Sequence, residues 1–147
     1  MGHRGFSHIG LSTRDLDKTR AFYEGVLGFK PVVADTINVE EGGLLRHMFF
    51  DVGRDQLIAF LEPQGVPDVP AKYDAGINRG LGVPAGFYHF ALEAGSPAAL
   101  AEKRRAARQG GRDDRYRRSR MGSVDLLQGS QRSVARVLLR DAQSHRG

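Results

Sequence analysis

The sequence predicts an α+β protein: one β-α-β-β-β module, followed by the opening of a second copy that is left incomplete. Strand alternation and helical spacing follow one another in that order over the first 60 or so residues. The same opening returns about 80 residues after it first occurs. Beyond Gly110 the pattern fails.

Phe6 to Ser12 (FSHIGLS) alternates, with Phe6, His8 and Gly10 on one face and Ser7, Ile9 and Leu11 on the other, as a strand requires. Asp15 or Asp17 can cap the following helix, because a carboxylate there accepts from free backbone N–H groups. Ala21, Phe22, Val26 and Leu27 recur at helical spacing, and Gly28 ends the helix. Phe29 to Ala34 reads as a strand and Glu41-Gly42-Gly43 as a turn. Leu44 to Val52 and Gln56 to Leu61 are two more strands, joined by a tight hairpin at Gly53-Arg54-Asp55. Pro63 to Pro84 is a Gly/Pro-rich crossover. Phe87 to Leu92 (FYHFAL) repeats the first strand, again with a central histidine. Ser96-Pro97 is a cap followed by a first-turn proline, and Ala98 to Ala107 is the helix it starts. The expected organisation is therefore a domain over 1–109, with module one at 5–62, a crossover loop at 63–85 and the start of module two at 86–109. A basic, poorly structured tail over 110–147 follows.

The chain has 147 residues, 40% of them hydrophobic, which suits a globular core. With no cysteine it can hold neither disulfides nor a thiolate metal site. It carries no membrane-length apolar run, and Met1 to Gly10 lacks the layout of a signal peptide, so a cytoplasmic protein without a membrane partner is expected. The net charge of +5 is unevenly spread. Residues 1–102 hold 9 Lys/Arg against 13 Asp/Glu, and residues 103–147 hold 13 against 4. Eleven of the twelve Phe and Tyr precede residue 103. The Arg-rich tail is a poor nucleic-acid surface, since Tyr116 alone is available for stacking and the charges form no helical stripe.

His8 and His89 occupy equivalent places in the two repeats. Neutral imidazoles are good ligands for divalent iron, manganese, zinc or nickel. The alternative is a half-buried strand histidine satisfied by a hydrogen bond. His47, on a strand after Arg46, is a candidate acid/base or substrate contact, or a solvated strand histidine. Tyr23 is expected in the core, Tyr88 in packing against the opposite sheet face, and Glu62 at a solvated strand end. Gly80 to Gly86 (GLGVPAG) is no phosphate loop, because no Lys-Ser/Thr at a helix start follows it.

HIGLSTRDLDKTRAFYEGVLGF resembles the opening of vicinal-oxygen-chelate proteins, the superfamily of glyoxalases, extradiol dioxygenases and bleomycin-resistance proteins. FFDVGRDQLIAFLEP resembles the end of their first module, and FYHFALEAGSPAALAEKRRA the start of the second. The resemblance implies paired βαβββ modules around a metal cleft, with His8 and His89 as metal ligands. It implies a divalent metal, Fe2+ or Mn2+ ahead of Zn2+ or Ni2+, acting as a Lewis acid on a small-molecule substrate with adjacent oxygens. Dioxygenase-like chemistry is favoured, a homodimer is allowed, and a metal-free bleomycin-type binding protein is the alternative. The fourth-strand ligand position of module one falls on Ala59, which cannot bind metal. The remaining glutamate ligand should lie on the last strand of module two, yet Glu102 is the last glutamate in the chain.

The tail has the composition of a shifted reading frame. Read one nucleotide later, Met121-Gly122 must give Trp, and Gln128-Gly129 must give Lys or Arg. With permitted wobble choices, Arg118 to Arg136 can encode DHEWAQSIYFKDPNGLSLE. Its YFKDPNG segment and closing Glu resemble the superfamily's second-module end. The other reading is a genuine basic extension. Either way, the chain as written is expected to be poorly stable, with little metal-dependent activity.

Overall fold

The computed structural model describes residues 2, 5–84, 87–93, 95–110, 123–128 and 135–140, the last two segments as backbone. The chain divides into two compact units, Met1–Ala75 and Gly76–Gly147. The boundary lies inside the expected crossover.

In the first unit the elements run β1 (His8–Ser12), α1 (Leu16–Gly25), β2 (Lys30–Asn38), β3 (Leu44–Gly53) and β4 (Gln56–Gln64). They make one four-stranded sheet in the order β1-β4-β3-β2, with β1 parallel to β4 and the other pairs antiparallel. This is the expected module.

Asp15, not Asp17, caps α1: its carboxylate accepts from the Lys18 backbone N–H at 2.9 Å. The buried stripe of the helix and its C-terminal turn is Leu16, Thr19, Tyr23, Val26 and Leu27. Tyr23, Val26 and Leu27 are buried as expected, while Ala21 is exposed and Phe22 half-buried. The reason lies on the sheet, where Tyr23 fits among Phe29, Phe50 and Phe60 at ring separations of 6.1, 5.5 and 4.7 Å. Gly28 takes a positive φ of 69°, and Phe29 N–H returns to the Tyr23 carbonyl at 2.9 Å, closing the helix end. Phe50, at 0% exposure, and Phe60 put one sheet face against α1.

The β3–β4 hairpin turns on Arg54 and Asp55, both at positive φ near 58°, which matches the twist of antiparallel strands. Asp51 Oδ1 accepts from Gly53 N–H at 2.6 Å and fixes the turn. The β2–β3 turn closes through Val39 N–H to the Gly43 carbonyl. After β4, a strap is held to the end of β1: Tyr73 donates to the Thr13 carbonyl at 3.0 Å and sits 2.5 Å from Ser12 Oγ. β2 is an edge of this sheet, with Val32, Val33 and Ile37 all more than 40% exposed.

The second unit contains α2 (Ile77–Gly80), β5 (Phe90–Glu93), α3 (Pro97–Gly110), β6 (Ser123–Gln128) and β7 (Ala135–Arg140). Ser96 Oγ accepts from Ala99 N–H at 3.1 Å, the cap expected before Pro97. The sheet order is β5-β7-β6, antiparallel throughout. Two stretches of the tail, SVDLLQ in β6 and ARVLLR in β7, are strands that pair with each other, and β7 also pairs with β5. Residues 111–122, 129–134 and 141–147 of the tail lie outside the described residues. So does His3, while His145 falls within the last of these segments. The unit remains one strand short of a β-α-β-β-β module among the described residues. Its last strand meets its first antiparallel, whereas β4 meets β1 parallel.

Candidate functional site

Alternation divides the first sheet into two chemistries. Odd and even positions of a strand face opposite sides. Phe50 and Phe60 contact Tyr23 of the helix, so Phe49, His47, Ala59 and Leu61 face away from it. Register carries this side across the sheet. One row runs Ser12, Leu61, His47, Asp35; the next runs Gly10, Ala59, Phe49, Val33. His8 leads a third row through Leu57 and Asp51.

Phe49 is the centre of this open face. Its ring lies 4.2 Å from the His47 ring and 5.5 Å from the His8 ring, edge-on to the latter. The structure thus brings two of the three candidate histidines to one aromatic platform. His47 is mostly sheltered, its side chain 15% exposed, and its Nδ1 lies 3.3 Å from Asp35 Oδ1. It is therefore not a solvated strand histidine. His8 is exposed, and its Nδ1 lies 3.2 Å from the Ser7 hydroxyl. Ala59 occupies the centre of β4 at 1% exposure and offers only a methyl group.

The other face carries ionic chemistry of a structural kind. Arg46 donates to both Asp17 (2.9 and 3.2 Å) and Glu62 (3.0 Å). Glu62 also accepts from Leu16 N–H at 3.1 Å. Glu62 is 9% exposed, which corrects the expectation of a solvated strand end. Its carboxylate is drawn in by the free N–H groups of the first helical turn. The Arg46 hydrogen bond holds the Asp17 carboxyl below its ordinary range. For Asp15, burial pushes the carboxyl up, but its bonds to Lys18 outweigh this and leave it lowered. Burial pushes the Tyr23 phenol well up, so it stays un-ionised.

His89 belongs to the second unit and is exposed. It precedes β5 by one residue, where a mid-strand place was expected. The cause is Asn78, a buried side chain. Its amide donates to the Tyr88 carbonyl at 2.8 Å and accepts from Tyr88 N–H at 2.9 Å. That pairing takes the backbone groups a strand would use. Tyr88 itself is 53% exposed, which corrects its expected packing role.

The described donors do not fit a complete metal centre. Among the described residues no group of three or more His, Asp or Glu could hold an ion. His8 shares its face with Ala59, whose methyl group cannot bind an ion. The sequence reading missed Asp35, Phe49 and Tyr73 as parts of this face. Only the register of β2 on β3, and the path of the strap, place them there.

No helix among the described residues is long and apolar enough to cross a membrane. No curated protein and no solved structure matches the chain. A family model does match, over residues 5–123, spanning both helices of the repeat and all of the open face. The chain therefore belongs to the Glyoxalase/Bleomycin resistance protein/Dioxygenase superfamily.

Proposed function

We propose that this chain, as written, binds a small organic molecule on the open face of its first module and lacks a working metal centre. Ala59 is the observation that carries the proposal: a methyl group stands at the place where the superfamily resemblance puts a fourth-strand ligand. Around it, Phe49, Leu57 and Leu61 supply apolar contact, and His8, His47 and Ser12 supply polar groups in the same rows. Apolar lining with a few fixed polar groups is the common make-up of small-molecule sites. The test is titration of the purified full chain with Fe2+, Mn2+, Zn2+ and Ni2+, alongside bleomycin as an organic probe. Weak, substoichiometric metal uptake with bleomycin shifts at Phe49 and Leu61 supports the proposal. Tight binding of one metal per chain overturns it.

A second reading has its own support. His8 and His89 open equivalent repeats, and β7 meets β5 with the wrong polarity for a module end. A metal-dependent enzyme is then the frame-restored protein, with His8, His89 and a tail glutamate as ligands. Such a metal would supply Lewis-acid activation of two adjacent substrate oxygens. The DNA sequence across codons 105–112 tests the frame, and metal content of the restored chain tests the ligand set. A stop codon early in the shifted frame eliminates this reading.

A further inference from the structure

We infer that His47 and Asp35 form a proton-accepting pair, which binds a flat, weakly acidic hydroxyl compound over Phe49 in its anionic form. The inference rests on the small-molecule reading above and adds the ligand class and the residues that select it.

The pair is built by register. Asp35 of β2 stands directly opposite His47 of β3, and the contact runs from Oδ1 to Nδ1 at 3.3 Å. A carboxylate at Nδ1 favours the tautomer with its proton there, leaving the Nε2 lone pair as the base. His47 is 15% exposed and Asp35 47% exposed, so the ring is held while the carboxylate stays wetted. Phe49 fixes the ring from its own strand at 4.2 Å and offers a flat apolar surface beside it.

The neighbouring groups leave this task to Asp35. Asp51 accepts from Gly53 N–H. Tyr73 is tied to Ser12 and Thr13 at the other end of the row. Leu61 and Ser12, which complete the His47 row, bring no charge. His8 lies across Phe49. Arg46, Asp17 and Glu62 belong to the network on the helix-covered face.

The step is one proton transfer. The ligand O–H bond breaks, its electron pair stays on the ligand oxygen, and the proton forms a bond to Nε2. The resulting imidazolium lies between the ligand anion and the Asp35 carboxylate. No oxidant or reductant is needed. His47 touches the ligand; Asp35 acts through His47 and is a positioning residue.

The experiment uses the full chain with 4-nitrophenol, whose anion is yellow, at a pH where the free phenol is mostly neutral. Expected are the phenolate absorbance on adding protein and resonance shifts at Phe49 and His47. His47→Gln should bind roughly tenfold more weakly and give no yellow form, since a charge-assisted bond is lost. In Asp35→Asn the His47 nitrogen resonances should move from one tautomer to a mixture, with a smaller phenolate fraction. Amide spectra report whether each variant is folded, and the tautomer of the unsubstituted chain needs no variant at all. An Nε2-protonated His47 in that chain, or equal phenolate in His47→Gln, overturns the pair. Binding at Phe49 without colour overturns the pair and leaves the binding face standing. No shift at that face sinks both.

Discussion

Glu62 Oε2 and the backbone N–H of Leu16 meet at 3.1 Å, so the end of β4 caps the start of α1. The same carboxylate holds Arg46 at 3.0 Å. Glu62→Ala removes both bonds and leaves a buried N–H without its partner. A loss of about 1–3 kcal/mol is expected, read as a lower urea midpoint with unchanged slope. Glu62→Gln should recover part of it.

Stability should fall on the acid side. The Asp17 carboxyl is lowered by its hydrogen bond to Arg46, and that of Asp15 is lowered by Lys18 against the opposing effect of burial. A carboxyl whose folded pKa is depressed favours the folded state above its unfolded pKa, near about 3.9 for Asp. That contribution disappears as pH falls through the lower, folded value. Urea midpoints measured against pH should therefore be level above about pH 5 and decline below about pH 4. Asp17→Asn should make the decline shallower; a steeper one contradicts the assignment.

Gly43 combines a φ of 79° with a close backbone crossing. A Cβ added there meets the Gly65 carbonyl carbon at 2.5 Å. Both problems are backbone-borne, so neither is relieved by a side-chain rotation. Gly43→Ala should cost ~2 kcal/mol or more, with the β2–β3 hairpin and the segment after β4 perturbed together in amide spectra.

Tyr23 separates burial from polarity. The ring is 7% exposed among Phe29, Phe50 and Phe60. Tyr23→Ala should cost about 3–5 kcal/mol in calorimetry. Tyr23→Phe keeps the packing and removes a hydroxyl that burial already holds un-ionised, so a change under about 1 kcal/mol is expected.

Local signals carried the first module because each of its elements announces itself nearby. Asp15 caps the helix three residues before the N–H it binds, Gly28 closes it, and Gly53-Arg54-Asp55 turns the hairpin. The helix phase was legible at Tyr23, Val26 and Leu27 but not at Ala21 and Phe22, because the rings on β3 and β4 that receive Tyr23 decide which side turns inward. The Asp35–His47 contact depends on the register of an entire hairpin. It follows once Asn38 is placed opposite Leu44, and the Glu41-Gly42-Gly43 turn alone does not state that register. Glu62 looked like a strand end because its partner, the N–H of Leu16, is 46 residues away and carries no side-chain signature. The late start of β5 had the same origin: Asn78 reaches Tyr88 from a segment read only as a loop.

The outer side of β2 faces no strand of its own sheet. Pro31 and the register shift after it blunt the beginning of that border. From Val33 to Asn38 the strand carries one charge, Asp35, and Ile37 is 44% exposed. Strand margins with so few charges recruit foreign chains through main-chain bonding. Handling of the purified protein should therefore be limited by concentration before heat, with turbidity appearing in crowded samples well below the melting point. A lysine in place of Thr36 should clear such samples while leaving the melting curve in place.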